Sequence, residues 1–313
     1  MLLLLTFCLM FGCGNDAKEG SAAQRSPASA AGATSTGFSG SAAYSYAKAQ
    51  VDFGPRVPGT PAAQKAGDWI IRQMRARADT VIVQSFTYAT ADGKKLPLRN
   101  ILARFRPDLT NRVLYMTHWD SRPVSESATT EAEKKMPVPG ANDGASGVGM
   151  FVALGDLLKR TKPLVGVDLL FTDGEDYGQF GPPEIDVLIG SKYFAAHLPS
   201  AGYKPRYGVL WDMIGDRDLR IPYEMNSFQQ APEIVSRVWQ TAADLGYGDI
   251  FVQESGGLIT DDHIPLLNVG IPVIDVIDLT YPPHHTPFDT IDKISAKSLA
   301  KVGDVAAALV TRK

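Results

Sequence analysis

The sequence predicts an α/β fold in which a largely parallel sheet is covered by helices on both faces. Apolar, β-rich runs alternate with segments of helical periodicity along residues 61–311. Strands that alternate with helices are joined by crossover connections, which make the strands parallel and bury both faces of the sheet. Several apolar runs also end in an acidic residue or a histidine. Because ligands bind at the carboxyl ends of strands in such sheets, we expect a functional site there.

The globular part of the chain is predicted to be one domain over residues 43–313, since nothing within it has the composition of a linker. Regular structure begins near Thr60, a helix-capping residue that is followed by Pro61, a residue suited to the first helical position. Apolar residues then recur at helical spacing. This pattern predicts an amphipathic helix over residues 61–77.

The remaining elements follow from the same periodicities. Alternating apolar and polar residues over 80–87 predict a half-buried strand, and Asp92-Gly93 supplies the turn after it. Ser146 is the expected N-cap of the helix that opens after Gly144. The other predicted strands are 100–105, 112–117, 166–171, 207–213 and 271–278, and the other predicted helices are 190–197, 231–245 and 295–311.

Composition places the chain among ordinary globular proteins. Of its 313 residues, 44% are hydrophobic and 21% are charged, and the net charge is -3. With this mildly acidic balance and no block of basic residues, we expect no nucleic-acid partner and no electrostatic adhesion to a membrane. The sequence also contains neither the glycine fingerprint of dinucleotide binding nor the Gly-x-Ser-x-Gly elbow of serine hydrolases.

Residues 1–13 form an apolar run that predicts an export signal, too short to cross a bilayer as a mature helix. Gly12-Cys13 is similar to a bacterial lipoprotein processing site, so Cys13 is the expected lipidated residue; the alternative is a plain signal peptide. Residues 14–42 are rich in Ser, Ala, Gly and Thr and are predicted to be a flexible linker. We therefore expect an exported protein of the bacterial cell envelope, periplasmic or at the surface, whose only membrane contact is a lipid anchor.

Both cysteines lie in the signal segment, so a metal in the remaining chain would be bound through oxygen and nitrogen. Asp143, Asp176 and His285 form a candidate zinc set, because a catalytic zinc takes three protein ligands and keeps a fourth position open. His118 and Asp212 are candidates for a second metal position. The pattern by itself leaves solvated acidic loops as the alternative.

Glu175 is the candidate acid/base residue. Its neighbour Asp176 would balance the charge of a metal while Glu175 carries a proton, and a nearby cation removes the like-charge cost of burying the pair. An exposed acidic loop is again the alternative. Other candidates have structural interpretations, namely Asp262 as a helix cap, His197 and His263 as structural histidines, and Trp119 and Trp211 as core residues.

Several motifs together resemble the zinc aminopeptidase clan known as family M28. They occur in the order Thr117-His118-Trp119-Asp120, Ala141 to Gly147, Asp173-Gly174-Glu175-Asp176, Leu210 to Gly215 and His285-Thr286. Two further motifs are similar to the glutaminyl cyclases of animals and their bacterial relatives, namely Asp261 to Leu266 and Gly190 to Tyr193. The resemblance extends from about residue 45 to the C-terminus.

The resemblance implies a three-layer α/β sandwich around a mixed, mostly parallel sheet, of the phosphorylase/hydrolase-like type. It also implies roles at single positions, with Asp143, Asp176 and His285 as zinc ligands, Glu175 as the acid/base, Asp212 and Asp261 as a supporting carboxylate network, and His118 at the second-metal position of the peptidases. In the cyclases the second ion is generally absent although the residues persist.

Three positions depart from the family pattern. Asp176 stands where the metal-binding acid is commonly Glu, and His284 stands where cyclases usually have Trp before the ligand histidine. The loop 177–186 lacks the aromatic residue of the animal enzymes. In the family this Trp helps to form the wall of the substrate pocket, so the resemblance implies a changed pocket wall here.

The first functional hypothesis is a zinc-dependent glutaminyl-peptide cyclotransferase, which converts N-terminal glutamine of peptides to pyroglutamate and releases ammonia. The second is a metallo-aminopeptidase, and the third is a non-catalytic surface binding module. We expect one zinc ion for a cyclase and two for an aminopeptidase. The expected partners are peptide or protein N-termini, and the expected state is a monomer.

Overall fold

The computed structural model describes residues 36–312 of the chain. Its main elements are α1 (Gly40–Val51), α2 (Pro61–Arg75), β1 (Thr80–Ala89), β2 (Lys95–Phe105), β3 (Arg112–His118), α3 (Ala145–Thr161), β4 (Gly166–Thr172), α4 (Ile189–Ala196), β5 (Tyr207–Asp212), β6 (Ile221–Tyr223), α5 (Met225–Gln230), α6 (Pro232–Asp244), β7 (Phe251–Ser255), α7 (His263–Asn268), β8 (Val273–Ile277) and α8 (Ala296–Thr311). Every predicted strand and helix corresponds to one of these elements.

Six strands form the central sheet, in the order β1-β2-β4-β3-β5-β8. Strands β4, β3, β5 and β8 are mutually parallel, whereas β2 runs antiparallel to both β1 and β4. The predicted mixed, mostly parallel sheet is therefore confirmed. Strands β6 and β7 pair in a separate two-stranded sheet that was not predicted.

Helices cover both faces of the sheet, and each face has its own apolar core. Along β3, Val113 and Tyr115 pack into the larger core with α3 and α8, while Leu114 and Met116 pack into the smaller core with α4 and α7. Successive side chains of a strand point to opposite faces, so every residue of β3 is buried. The three-layer sandwich follows from this double burial.

The structure confirms the predicted N-cap of α2 but not that of α3. Thr60 caps α2, because its side chain accepts a hydrogen bond from the backbone N–H of Ala63 at 3.2 Å. The prediction that Ser146 caps α3 was wrong. That helix begins at Ala145, and the Ser146 hydroxyl donates to the backbone oxygen of Asn142 and accepts from Ile214.

Helix α1 begins at Gly40, so residues 40–42 of the predicted linker are helical. The small residues that give this segment the composition of a linker serve close packing instead. A Cβ atom at Gly149 of α3 would lie 2.4 Å from the backbone oxygen of Ala43, so the two helices approach closely. Because the small residues of α1 show no apolar periodicity, this helix was not predicted.

The predicted export signal over residues 1–13, its lipidated Cys13 and the linker residues 14–35 lie outside the described residues. These predictions stay predictions. Within residues 36–312, each helix is too short or too polar to cross a bilayer.

Candidate active site

The candidate site lies at the carboxyl ends of the parallel strands. His118 is the last residue of β3 and Asp212 is the last residue of β5. Asp143 precedes α3, and Glu175 with Asp176 follows β4. All five side chains are buried, and the fold brings them together as the sequence predicted.

The loop that carries Asp143 is fixed by two buried charged residues that were not predicted. Asp289 accepts hydrogen bonds from the backbone N–H groups of Asn142 at 2.8 Å and Asp143 at 3.2 Å. Arg56 donates to the backbone oxygens of Pro139, Gly140 and Trp119. Both residues bond to backbone atoms, which are alike at every position. Their roles could therefore not be predicted from the sequence.

Close packing around His118 requires glycine at position 144. A Cβ atom there would lie 2.5 Å from Nε2 of His118, closer than real Cβ contacts. Gly144 therefore lets the loop before α3 pass directly over the imidazole ring. This approach holds Asp143 against His118, with 2.9 Å between Oδ1 of Asp143 and Nε2 of His118.

The two predicted carboxylate ligands, Asp143 and Asp176, both lie close to the imidazole of His285. Nε2 of His285 lies 3.6 Å from Oδ2 of Asp143 and 3.4 Å from Oδ1 of Asp176. The Oδ2 atoms of both carboxylates are buried and make no hydrogen bond within residues 36–312. Unpartnered carboxylate oxygens beside an imidazole are the oxygen and nitrogen donors that zinc takes, so the residues present fit a zinc ion.

Two residues that were not predicted hold this group in place. Oε1 of Glu126 lies 2.7 Å from Nδ1 of His285, and Nε of Arg122 donates to Oε2 of Glu126 at 2.6 Å. Nη1 of Arg122 in turn donates to Oδ1 of Asp176 at 2.5 Å. A carboxylate on Nδ1 fixes the ring so that Nε2 faces the metal position. Glu126 and Arg122 come from the loop after β3, where no periodicity indicates a role.

The acidic neighbours also affect the protonation of His285. Burial by itself would lower the pKa of this imidazole, but Asp176 and Glu126 raise it to about 10. An imidazole must be neutral to bind a metal, so metal binding here is coupled to release of a proton.

His284, predicted only as a departure from the family pattern, lies beside the same group. The ligand atoms of Asp143, His284 and His285 all lie within 4.8 Å of one another. The two imidazole rings are 3.7 Å apart between centroids. His284 is therefore placed as a candidate metal ligand, a role that the sequence did not indicate.

His118 belongs to a second candidate metal group. The ligand atoms of His118, Asp143 and Asp212 also lie within 4.8 Å of one another, and Oδ1 of Asp212 is 3.2 Å from Nε2 of His118. Asp143 is common to both groups. This is the arrangement expected of two neighbouring metal positions that share one carboxylate.

Glu175 is buried in the floor of the site, close to His118. Its backbone N–H donates to Oδ1 of Asp120 at 3.1 Å, and the N–H of Asp176 donates to Oδ2 of Asp120 at 3.2 Å. Burial raises the pKa of Glu175 well above its usual range, His118 opposes this, and Asp176 and Asp261 add to it. The side chain can therefore hold a proton in this environment.

Asp261 lies in the same floor, at the start of a cluster of buried acids. Burial raises the pKa of Asp261 well above its usual range, and Asp212 raises it further. The next residue, Asp262, is not the helix cap that was considered, because its side chain caps no N–H of α7 and instead accepts from the Thr172 hydroxyl. The acids therefore form a buried network behind Glu175.

The remaining histidines and tryptophans have the structural roles that the sequence analysis suggested. His263 is fully buried, with Nε2 3.3 Å from Oε2 of Glu224. His197 ends α4 and stacks on Tyr193. Trp119 and Trp211 are both buried in the larger core, which confirms their predicted packing role.

The site opens to solvent through a cleft of about 340 Å³. The polar part of its lining consists mainly of five acids and two histidines, and most of the remaining lining residues are apolar. These acids and histidines are Asp143, Glu175, Asp176, Asp212, Asp261, His284 and His285. Phe180 is one of the apolar lining residues, with Leu258, Ile259 and Leu279. The loop 177–186 thus supplies an aromatic side chain to the cleft.

The family of the chain is shown by direct comparison. A family profile described as "Peptidase family M28" matches residues 100–310, which is more than half of the chain. The chain therefore belongs to peptidase family M28. A "Probable zinc metalloprotease" of Leptosphaeria maculans is 30% identical over 181 residues, which are 53% of this chain and 39% of that protein. The chain thus spans well under half the length of this relative.

Solved structures of two kinds match most of this chain. The Porphyromonas gingivalis glutaminyl cyclase is 39% identical, with a TM-score of 0.84 over 88% of this chain and 98% of that chain. A leucine aminopeptidase precursor from Bacteroides thetaiotaomicron is 35% identical, with a TM-score of 0.85 over 88% and 98%. The predicted fold and the predicted resemblance to M28 proteins and glutaminyl cyclases are confirmed.

Proposed function

We propose that this chain is a zinc-dependent glutaminyl-peptide cyclotransferase, which converts N-terminal glutamine to pyroglutamate. The observation that carries the proposal is the 39% identity to a glutaminyl cyclase over 98% of that enzyme's chain. The geometry supports it, because one buried glutamate lies in the floor of a cleft beside a group of candidate zinc ligands. Peptide or protein N-termini are the proposed substrates.

Glu175 is the proposed proton carrier. It accepts a proton from the substrate's α-amine as that nitrogen attacks the carbon of the side-chain amide. It then delivers the proton to the departing side-chain nitrogen, so the carbon–nitrogen bond breaks and ammonia leaves. Zinc held around Asp143 and His285 would supply Lewis-acid polarisation of the amide carbonyl.

The cleft contributes positioning to this reaction. Both reacting groups belong to one residue, so holding the glutamine with its amine against its own amide carbon gives a large rate advantage. Asp212 and Asp261 line the cleft, where they offer carboxylate oxygens for orienting the amine. The apolar lining residues would contact the residues that follow the glutamine.

A metallo-aminopeptidase is the second candidate function. The group of His118, Asp143 and Asp212 favours it, since a second metal position beside the first suits hydrolysis. Glu175 would then activate a water molecule for attack on the first peptide bond. A non-catalytic surface binding module is the third candidate.

Two peptides and a metal analysis test these candidates. Purified protein is incubated with zinc and with peptides that begin with Gln or with Leu, and ammonia, free amino acid and bound zinc are measured. Ammonia with about one zinc supports the cyclase. Free leucine with about two zinc ions would refute it in favour of the peptidase, and inertness toward both peptides would favour the binding module.

A variant of Glu175 tests the proposed proton carrier. Glu175→Gln should keep zinc and lose about 10²-fold or more in turnover, because the amide cannot take up the proton. Glu184→Gln, the same change at an exposed position in the adjoining loop, should keep turnover. Unchanged turnover in Glu175→Gln would remove this residue from the mechanism.

We propose that the enzyme is exported and acts in the bacterial cell envelope. This proposal rests on the composition of residues 1–13 and on Cys13 as a lipid-attachment residue. We also propose that the enzyme acts as a monomer. Globomycin-sensitive labelling of the full chain with a fatty acid, lost in Cys13→Ser, would test the anchor.

A further inference from the structure

We propose that Glu224 is a positioning residue, which fixes the loop 256–260 and so sets the place of an apolar wall, formed by Leu258 and Ile259, for the second residue of the substrate. The inference rests on the proposed function for the identity of that substrate, a peptide that begins with glutamine. It adds a substrate class, namely peptides with a large apolar residue after the glutamine.

The loop 256–260 forms part of the cleft lining. It follows β7 and leads toward α7, and Leu258, Ile259 and Thr260 line the cleft. Leu258 is 68% exposed, so its side chain is accessible to a bound peptide. Because most of the loop is exposed, apolar burial contributes little to its conformation, and its hydrogen bonds must hold it.

The backbone of Ile259 is held by two side chains from the start of α5. Oε1 of Glu224 accepts a hydrogen bond from the Ile259 N–H at 3.0 Å, and Nδ2 of Asn226 donates to the Ile259 backbone oxygen at 2.8 Å. The two side chains therefore satisfy both backbone groups of this residue, as a neighbouring strand does in a sheet. The N–H of Met225 also donates to the backbone oxygen of Gly257 at 2.8 Å. These bonds attach the loop to α5.

Glu224 is itself held in one orientation. The residue is only 1% exposed, and its carboxylate caps α5 by accepting the N–H groups of Asn226 at 2.8 Å and Ser227 at 2.6 Å. Oε2 also accepts the Ser227 hydroxyl at 2.6 Å, and that hydroxyl accepts the N–H of Asp275 on β8 at 2.8 Å. The carboxylate is thus connected through one serine to the central sheet, which gives the loop a rigid support.

A second contact of Glu224 lies beyond the loop. Nε2 of His263, the first residue of α7, is 3.3 Å from Oε2 of Glu224. Glu224 therefore contacts the chain on both sides of Asp261, at Ile259 and at His263. Asp261 is proposed above to orient the substrate's amine. One carboxylate thus sets the spacing between the place of the amine and the apolar wall.

The wall favours one class of second residue. Phe180 and Leu279 line the same cleft as Leu258 and Ile259, so a leucine-sized side chain of the substrate can contact apolar groups there. Partial burial of such a side chain is worth a factor on the order of 10 in binding, and glycine at that position gains nothing. We expect the enzyme to prefer Gln-Leu peptides to Gln-Gly peptides by about this factor.

Two variants detach the loop from α5. Glu224→Asp keeps the charge and a side chain suited to capping α5, but it withdraws the carboxylate by about 1.5 Å and breaks the bond to Ile259. Asn226→Ala removes the donor to the Ile259 backbone oxygen. Gln229→Ala is the matched control, since Gln229 is an exposed residue of the same helix.

Hydrogen exchange on the zinc-loaded full chain tests the attachment without use of catalysis. The amide of Ile259 should exchange about 10-fold or more faster in Glu224→Asp, because it loses its acceptor. The same amide should exchange at the wild-type rate in Gln229→Ala.

Kinetics with two peptides test the effect on substrate choice. The peptides differ only in Leu or Gly after the glutamine, and ammonia release gives kcat/KM for each. The ratio of the two values should be about 10 in the wild type and in Gln229→Ala. It should fall below about 3 in Glu224→Asp, in Asn226→Ala and in Leu258→Ser, which removes part of the wall itself. A loss of folded protein lowers both values equally, so a purely structural role would leave the ratio unchanged.

Two results would each overturn the inference. One is wild-type exchange of the Ile259 amide in Glu224→Asp, and the other is a wild-type ratio in Glu224→Asp or in Leu258→Ser. Absence of ammonia from both peptides would instead refute the proposed cyclase. Calorimetric affinities of the same two peptides would then replace kcat/KM, with the same ratios expected and the same results counting against the role of Glu224.

Discussion

Asp120 is the residue through which the fold positions the proposed acid/base, and its amide variant should show this. Asp120 is fully buried, and its two oxygens accept the backbone N–H groups of Glu175 at 3.1 Å and Asp176 at 3.2 Å. Asp120→Asn keeps one acceptor and places an NH₂ group against the other N–H. One of the two bonds is therefore lost while the shape of the side chain is preserved.

The size of the effect follows from these bonds. A buried N–H left without an acceptor costs about 1–3 kcal/mol, and loss of charge assistance in the remaining bond costs about 1 kcal/mol more. The free energy of unfolding should therefore fall by about 2–4 kcal/mol. For a domain of this size, the unfolding temperature should fall by about 4–8 °C.

Turnover should fall as well, because the same bonds set the position of Glu175. A displacement of about 1 Å costs up to about 10²-fold in rate, so kcat should fall by about this factor while KM changes less. Differential scanning calorimetry and steady-state kinetics measure the two effects. Asp79→Asn is the matched control, since Asp79 is exposed and its carboxylate accepts one backbone N–H, from Arg106 at 2.8 Å.

The control should lose no more than about 1 kcal/mol and should keep its turnover. An Asp120→Asn protein that unfolds at the wild-type temperature and turns over at the wild-type rate would refute the positioning role. Reduced stability with unchanged kcat would restrict Asp120 to a structural role.

Three further variants test separate parts of the account. Glu126→Gln should weaken zinc binding by about 10–100-fold with little change in stability, and wild-type affinity in a chelator competition would contradict its role in orienting the ligand histidine. Arg56→Met leaves three backbone oxygens without their donor and should lower the free energy of unfolding by about 3–5 kcal/mol in urea titrations; a loss under about 1 kcal/mol would be inconsistent with this network. Burial alone would raise the pKa of Glu224, but the nearby His263 imidazole and hydrogen bonds from Ser227 lower it from 4.5 to about 2, so its stabilisation is present above about pH 4.5 and is lost as the pH falls toward 2. Urea midpoints should fall over this range, and Glu224→Gln should show a shallower fall; equal slopes would argue against the assignment.

The sequence predicted the parts of the site that lie at strand ends. His118 and Asp212 close the apolar runs of β3 and β5, and the parallel arrangement of these strands brings their ends to one edge of the sheet. The position of each residue in the pattern was therefore enough to place it. Asp143 lies instead on the long connection between β3 and α3, next to the start of that helix.

The sequence did not predict residues whose role depends on the path of loops. Arg122 and Glu126 reach Asp176 and His285 because the loop after β3 turns back over the cleft, and no periodic pattern records that turn. Asp289 acts on backbone N–H groups of a distant segment, so its partner is not a residue type that a pattern could show. Such contacts are set by tertiary packing.

The role of His284 was only partly predictable from the sequence. Its place before His285 was visible in the sequence as a departure from the family pattern, but only the position of its Nε2 atom relative to Asp143 indicates a role at the metal. The left-handed backbone of His285, with φ at +54°, turns this short segment so that both rings face the site. A conformation of this kind is not readable from residue types.

In the proposed reaction, the enzyme releases the side-chain nitrogen of an N-terminal glutamine as ammonia. The most direct measurement uses a peptide whose glutamine carries an isotopic label on that nitrogen alone, incubated with the zinc-loaded wild-type protein and analysed by mass spectrometry. We expect labelled ammonia and an unbroken peptide that has lost one ammonia and begins with pyroglutamate. Labelled free glutamine together with a peptide shortened by one residue would contradict it.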